Sequence, residues 1–535
     1  MTIARAHLSA MAAFFVGLAL QIPVAAQTLT GTDVTTVLGQ AALAASVLSP
    51  GSVIAVTDRE GFVLGVYGVS GPPPNPYTIN GPNTTSNAIA KAGTAAFLSS
   101  GGEAFTTRTA GFIIQPHFPP GIMNTSTGPL VGVGFSSLPF SPINHFRNPN
   151  ATATISSSLG IPGTTLSGNP GGVPLYKGGI LVGGVGVDSS TTLDALNYVP
   201  GPDVDENIAI AGQSGYAPPA GILATEVLIN GIRLPYTDYN QPSSVAAPLT
   251  AGNISTVFPI VASPGVPFMP PGSVAPYPQP SPFPDIPGGE VRDPIMASPI
   301  ATPVLGQPRL SQAEVSTIIH QAAVRASQTR GAIRNPIGPA EVFIVVVDYY
   351  PTDAGGTPVT PAAPAAPPSL VPYAFPRPQV LGSFRTPDAT IFSYDVAAQK
   401  AFTALFFSNN TMALSSRAVG FLSEPTYPPG IDGTLAGPYN LLQNSLSVSA
   451  ALNANAPINP FLPNGITIFP GGFPLYRNGV LIGAIGISGD GVDQDDLISA
   501  AGTVGFEAPT NIRSDEFTYR GARLPYAKFP QNASL

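Results

Sequence analysis

The chain contains an internal repeat, and this repeat limits the folds that are open to it. The segment GGVPLYKGGILVGGVGV at 171–187 returns as GGFPLYRNGVLIGAIGI at 471–487. Lys91 and Lys400 each precede a Pro-Pro-Gly-Ile segment by 28 positions, and Arg108 and Arg417 each follow their lysine by 17. Chance does not preserve such spacings, so the sequence predicts two homologous domains in tandem.

Length and composition agree with this division. A chain of 535 residues allows two to four domains, and the repeat favours two of roughly 210 to 230 residues. Arg5, an apolar run and the small residues Val24-Ala25-Ala26 follow the order of a secretory signal peptide. We therefore divide the chain into a signal peptide at 1–26, a first domain at 27–236, a proline-rich linker at 237–308 and a second domain at 309–535.

The signal peptide predicts a periplasmic or extracellular protein. No later segment approaches the roughly 20 continuous apolar residues of a membrane span. Only 9% of the residues are charged and the net charge is −8. Such a chain has no basic surface with which to neutralise a phosphate backbone, so we expect no nucleic-acid partner.

Apolar spacing predicts the same order of elements in each repeat: helix, hairpin, helix, hairpin, helix. This order indicates an α+β fold of α/β/α type, in which an antiparallel sheet carries packed helices. The second repeat has a proline-alanine insertion within its first hairpin. The elements predicted for the first repeat are helices at 29–46, 86–99 and 205–212, strands at 52–57 and 63–67, a hairpin at 175–187 and a late strand at 224–229.

The repeats resemble the GlcG/HbpS family of haem-binding, so-called haem-degrading, domains. The resemblance is carried by VTDREG at 56–61, the Lys-Ala pairs at Lys91 and Lys400, and the closing block from Phe469 to Gly502. It implies profilin-like domains that bind haem or related cobalt tetrapyrroles and form dimers and larger oligomers. This chain would then be an intramolecular pseudo-dimer, with further homo-oligomerisation possible.

Glycines in the closing hairpin leave two interpretations open. The glycines at 183, 184 and 186 and at 483, 486 and 489 remove side chains from a strand, which weakens it unless another backbone or a flat ligand approaches closely. The alternatives are helix-on-sheet packing and ligand contact.

Two histidines are candidate haem ligands, because haem iron takes a His, Met or Tyr on its axis. His117 precedes Phe118 and a proline turn, and its counterpart in the second repeat is Thr426. His320 lies in the opening helix of the second repeat, where members of the resembled family can place a ligand. The alternatives are a surface-loop histidine and a half-buried helix histidine.

Four cations are candidate partners for tetrapyrrole propionates: Lys91, Lys400, Arg108 and Arg417. Cations recognise carboxylates well, and arginine can do so in a bidentate manner. The competing interpretation is that each lysine forms a structural ion pair with Asp58 or Asp348. The second repeat also contains a cluster of three acidic residues, Asp493, Asp495 and Asp496. This cluster either binds a hard metal ion or stabilises the first turn of a helix.

The sequence favours a non-catalytic role. It contains no Gly-x-Ser-x-Gly elbow, His-Glu-x-x-His motif or phosphate-binding loop. We therefore predict a secreted or periplasmic haem (tetrapyrrole)-binding protein. The alternatives are a structural or interaction protein of the cell envelope that has lost the ligand, and an oxidative haem-degrading protein.

Overall fold

A computed structural model describes most of the two repeats. Its residues are 27–59, 61–76, 83–115, 117–125, 128–130, 166–189, 198, 200–238, 245–262, 279–333, 335, 338–353, 355, 357–359, 380–390, 392–431, 433–441, 462 and 466–528. The predicted signal peptide lies outside them, as does His145, a third histidine that the sequence predicts to be a loop residue. Among the described residues, none of the helices is both long and apolar enough to cross a membrane.

The first unit is a four-stranded antiparallel sheet between helices. Its sheet has the order β2-β1-β4-β3, as the predicted pair of hairpins requires. Helices α1 and α4 pack on one face and α2 on the other. The elements are α1 (Gly31–Leu48), β1 (Val53–Asp58), β2 (Val63–Gly68), α2 (Thr84–Leu98), α3 (Thr107–Ile113), β3 (Gly172–Lys177), β4 (Ile180–Asp188), α4 (Val204–Gly212), β5 (Leu228–Ile229) and β6 (Ile232–Arg233).

The second unit contains the same four strands in the same order within a six-stranded sheet, β11-β12-β9-β10-β8-β7. Its elements are β7 (Gln279–Pro280), β8 (Glu290–Asp293), α5 (Gln312–Gln328), β9 (Phe343–Asp348), β10 (Val380–Arg385), α6 (Phe392–Phe406), α7 (Ser416–Ser423), β11 (Gly472–Arg477), β12 (Val480–Ser488), α8 (Val492–Gly502), β13 (Thr518–Tyr519) and β14 (Ala522–Arg523). The described residues also contain short 3-10 turns at Ala220–Ile222, Ala224–Glu226, Ala251–Asn253, Thr510–Ile512 and Ser514–Glu516.

The strand registers define equivalent positions in the two units. Asp58 pairs with Gly183 across β1 and β4, and Asp348 pairs with Gly483 across β9 and β12. At the other end of the same ladders, Val53 pairs with Asp188 and Phe343 with Ser488. Asp188 and Ser488 therefore occupy corresponding places.

The region predicted as a linker covers the free edges of both sheets. The backbone amide of Ser255 donates to the carbonyl of Val66 in β2 at 2.9 Å, and that of Val261 donates to Leu64 at 2.8 Å. In the second unit, β8 pairs with β10. An uncovered edge strand exposes unpaired backbone groups. The sequence boundary at 309 assigned β7 and β8 to the linker, whereas they complete the second sheet.

The late strand predicted at 224–229 is wrong for most of its length. Residues Ala224–Glu226 form a 3-10 turn, and only Leu228–Ile229 pair with β6. The backbone amides here make other hydrogen bonds instead of strand pairs. The amide of Ala224 donates to the carbonyl of Ala104 at 3.0 Å, and that of Val227 donates to the carbonyl of Ala224 at 3.0 Å.

Close helix packing explains two of the hairpin glycines. A Cβ atom on Gly186 would overlap the carbonyl oxygen of Ala88 in α2, and one on Gly486 would overlap that of Ala397 in α6. At these positions the approaching group is the helix backbone, as the packing interpretation proposed.

The two units contact each other directly. Arg59 pairs with Asp388 at 3.1 Å, and the amide of Gly101 donates to the same carboxylate at 2.6 Å. An apolar cluster also continues from one unit to the other, including Phe105 and Tyr236 of the first unit and Tyr394 and Phe469 of the second. The contact between the units is therefore both polar and apolar.

Candidate functional site

His117 has the geometry of a histidine that is held in one tautomer. Its Nδ1 lies 3.1 Å from the carbonyl oxygen of Thr125. A carbonyl oxygen only accepts, so Nδ1 must carry the proton and donate. In the neutral ring, Nε2 then carries the lone pair. This is the arrangement in which histidine binds metals, with the second nitrogen fixed by a backbone carbonyl.

Aromatic side chains lie around the His117 loop. Phe118, the next residue, meets Phe112 edge-to-face at 5.6 Å between centroids, and Phe112 meets Tyr198 at 5.0 Å. His117 itself is half-buried. The loop therefore offers a fixed imidazole beside an apolar, aromatic surface.

His320 has a different environment. Its Nε2 lies 2.9 Å from both carboxylate oxygens of Asp285, and its ring stacks on Phe283 at 4.7 Å. Hydrogen bonding to His320 lowers the pKa of Asp285. The Nε2 atom of this candidate haem ligand is thus hydrogen-bonded to a carboxylate from the loop between β7 and β8.

Lys91 is buried between two carboxylates. Its Nζ is 2.8 Å from Asp188 and 2.8 Å from Asp205. Burial opposes its charge, but Asp205 and Asp188 outweigh burial and raise the pKa of Lys91. Burial raises the pKa of Asp188 to about 6, although Lys91 acts in the opposite direction.

Lys400 has one carboxylate partner instead of two. Its Nζ donates to Asp495 at 2.7 Å and to the carbonyl oxygen of Ile487 at 2.7 Å. Burial lowers the pKa of Lys400, and the attraction of Asp495 only partly offsets this effect. The pKa of Asp495 is raised by burial to about 6.

Both lysines thus form structural ion pairs, but the partners that we predicted are wrong. Asp348 instead pairs with Arg309 at 3.2 Å, and the Asp58 carboxylate accepts from the amide of Phe62 at 2.9 Å. Asp58 and Asp348 lie at the opposite end of the β1–β4 and β9–β12 ladders from Asp188 and Ser488. The two ends of a strand ladder are too far apart for one lysine side chain to contact carboxylates at both.

The two arginines also face carboxylates of the closing helices. Arg108 is 0% exposed and binds Glu206 through Nε at 2.8 Å and Nη2 at 3.0 Å. Arg417 is 18% exposed and binds Asp496 and Asp493 at 2.8 Å each. The acidic first turn of α8 is therefore held by cations, and the described residues contain no group of three or more potential metal ligands.

A cavity of about 440 Å³ lies between the two units. Its lining combines Lys400, Asp493 and Asp495 of the second unit with several apolar residues of the first unit. The volume falls within the range of small-molecule sites. The lining includes Phe105, Ile113, Leu130 and Ile229 of the first unit, and Val396, Lys400, Phe469, Ser488, Gln494 and Asp495 of the second.

A family model described as haem degrading protein HbpS-like matches residues 376–503. The second unit therefore contains a domain of the GlcG/HbpS type, as the sequence predicted. The match begins just before β10 and ends just after α8, so it includes Lys400, Arg417 and Asp495.

Several solved structures are similar to this chain. A PduOC:haem complex is 22% identical over 38% of this chain and 98% of that chain, with a TM-score of 0.22. The Klebsiella pneumoniae protein ORFY is 19% identical over 36% and 88%, with a TM-score of 0.22. A double mutant of Streptomyces reticuli HbpS is 16% identical over 37% and 88%, with a TM-score of 0.20. No curated protein matches the chain.

Sequence reasoning missed the cavity and the carboxylate partners of the lysines. A signal for the partners was present, because an acidic pair recurs at Asp205-Glu206 and Asp495-Asp496 at the start of the closing helix. The change from Asp188 to Ser488 was also visible in the aligned repeats. The cavity left no such signal, because its walls come from distant segments of both units.

Proposed function

We propose that this chain is a haem- or related tetrapyrrole-binding protein, exported to the periplasm or the cell exterior through its N-terminal segment. The match of the second unit to a family described as haem degrading supports haem as the ligand. The repeated strand order supports a pseudo-dimer of two such units.

The observation that carries the proposal is the orientation of His117. Its Nδ1–H donates to the carbonyl of Thr125 at 3.1 Å, which leaves Nε2 as the donor atom for a haem iron. Haem, when bound, supplies a redox-active iron within an apolar macrocycle. The residues of this chain would supply the axial imidazole and an aromatic surface beside it.

The role that we propose is non-catalytic. Lys91 and Arg108 are buried and already paired with carboxylates, so they are poorly placed to move protons at a ligand. Lys400 is likewise buried and paired with Asp495, whereas Arg417 is 18% exposed, so Arg417 is the better candidate for a contact with a propionate of the ligand.

A pair of matched variants tests the assignment of His117. We expect His117→Ala to weaken haemin binding by about tenfold or more and to shift the Soret band, because an iron–nitrogen bond is lost. His320→Ala is the control, and it should leave the band and the affinity unchanged because Asp285 occupies its Nε2.

The comparison is read from haemin titrations of residues 27–535 and of both variants, followed by absorbance. An unchanged spectrum in His117→Ala would contradict the assignment, as would a loss of binding in His320→Ala alone. Stable self-assembly without any tetrapyrrole binding would favour an envelope interaction protein instead. Loss of the Soret band with release of iron under a reductant would favour oxidative haem degradation.

A further inference from the structure

The second unit lacks one carboxylate that the first unit places beside its buried lysine. In the first unit, Lys91 lies between Asp205 and Asp188, and the amide of Asn87 donates to Asp188 at 3.1 Å. The same strand position in the second unit is Ser488. The position that corresponds to Asn87, at the spacing that relates Lys91 to Lys400, is Val396.

The space left by this change is part of the cavity between the units. The four second-unit residues that correspond to the lysine, its two carboxylates and the asparagine all line it, namely Lys400, Asp495, Ser488 and Val396. The first unit has the side chains of Asp188 and Asn87 at the corresponding positions, whereas Ser488 and Val396 line the cavity in the second unit.

Lys400 has hydrogen-bonding capacity for such a ligand. An ammonium group carries three donors, and the contacts of Nζ in the structure are the Asp495 carboxylate and the Ile487 carbonyl. Burial lowers the pKa of Lys400. Nearby carboxylates thus offset less of the cost of burying the charge on Lys400 than on Lys91, and a second anion would stabilise the charged form of Lys400.

Helix α8 adds a second favourable element at the same place. Its N-cap is Gly491, which offers no side-chain hydrogen bond to the first-turn amides, and Gly491, Val492 and Gln494 line the cavity. The N-terminus of a helix attracts anions; the first turn of α8 already contains Asp495 and Asp493, and Asp493 is paired with Arg417 and Lys528. In the first unit, the side chain of Asp203 caps the matching helix by accepting from Glu206.

Most of the residues that the first unit contributes to the cavity lining are apolar. They include Phe105, Ile113, Leu130 and Ile229, beside the polar Asn230, and Phe469 of the second unit also lines the cavity. A ligand that fills the cavity therefore needs an anionic end and an apolar body. The volume of about 440 Å³ suits a small molecule and not a peptide segment.

We propose that this cavity binds a small amphipathic carboxylate, such as a medium-chain or arylalkyl monocarboxylate, whose carboxylate takes the place that Asp188 has in the first unit. The first unit shows that the framework accommodates a lysine between two carboxylates. The site is separate from His117, and it gives the chain a second ligand besides a tetrapyrrole.

Calorimetric titration of the mature chain, residues 27–535, tests the proposal without haemin. The probes are octanoate and 4-phenylbutanoate, and octanamide and 4-phenylbutanamide are their neutral controls. We expect saturable binding of one carboxylate per chain. The amides should bind about tenfold more weakly or worse, because a charge-assisted hydrogen bond is lost.

Two variants locate the binding. Ser488→Asp places the carboxylate of the first unit in the cavity, so we expect it to weaken octanoate binding by about tenfold or more. Ser488→Ala keeps the space open and should bind within about threefold of wild type. Far-UV circular dichroism checks that both variants are folded.

A third variant covers the case in which Ser488→Asp does not fold. Ile229→Trp fills the cavity from the first unit and leaves Lys400 and Asp495 untouched, so it too should weaken octanoate binding by about tenfold or more. The proposal is overturned if no carboxylate binds saturably, if amides bind as well as carboxylates, or if octanoate binding survives in the folded cavity-filling variants.

Discussion

Replacing Arg108 with methionine is expected to lower the free energy of unfolding by about 3–5 kcal/mol, which is the usual result of removing one partner from a buried ion pair. Arg108 is fully buried, and it donates to both carboxylate oxygens of Glu206 and to the carbonyl of Gly201. Without Arg108, a buried Glu206 has lost its cation. The loss is read from urea unfolding followed by circular dichroism, because the chain contains no tryptophan.

Arg417→Met is the matched control in the second unit. Arg417 is 18% exposed; its partner Asp493 is 28% exposed and also pairs with Lys528, and its buried partner Asp496 also accepts from the backbone amide of Lys528. Water and Lys528 can therefore compensate part of the loss, so we expect a smaller effect than for Arg108→Met. An equal effect in the two units, or a loss below about 1 kcal/mol for Arg108→Met, would contradict this account.

Replacing Lys91 with methionine is the second prediction with a large effect. The substitution leaves Asp188 and Asp205 buried without the ammonium that lies 2.8 Å from each. We expect a loss of about 3–5 kcal/mol in the free energy of unfolding at neutral pH. Lys177→Met is the control, because Lys177 is 30% exposed and pairs with Asp33 near the surface; there we expect about 1 kcal/mol or less.

The loss in Lys91→Met should depend on pH with a definite sign. Burial already raises the pKa of Asp188 from 3.8 to about 6 in the presence of Lys91, and removing the lysine raises it further. A carboxylate whose pKa is higher in the folded state takes up a proton on folding. The deficit should therefore shrink as the pH falls from about 7 to about 4, and a deficit that grows in acid would contradict the assignment.

Local pattern and repetition in the sequence predicted most of the fold. The hairpin around Gly61 and the helix that begins at Gly31 lie within two residues of their predicted bounds. These elements depend on neighbouring residues, whose periodicity is visible in the sequence. The short helices Thr107–Ile113 and Ser416–Ser423 were missed, because one or two turns give too few residues to establish a period.

The candidate site was less accessible to sequence reasoning. Lys91 was identified by its repetition, but its partners Asp188 and Asp205 are 97 and 114 positions away, and only the packing of α2 and α4 with the sheet brings them together. The tautomer of His117 likewise depends on the position of Thr125, eight residues further along a turn. Contacts of this kind follow from how elements pack, which periodicity does not specify.

The central claim is that the chain binds haem through one histidine, and stoichiometry tests it most directly. Titration of haemin into residues 27–535, followed at the Soret band, should saturate at one equivalent per chain, because the counterpart of His117 in the second unit is Thr426. Broadening that never saturates would contradict haem binding, and saturation at two equivalents would contradict the assignment of a single axial histidine.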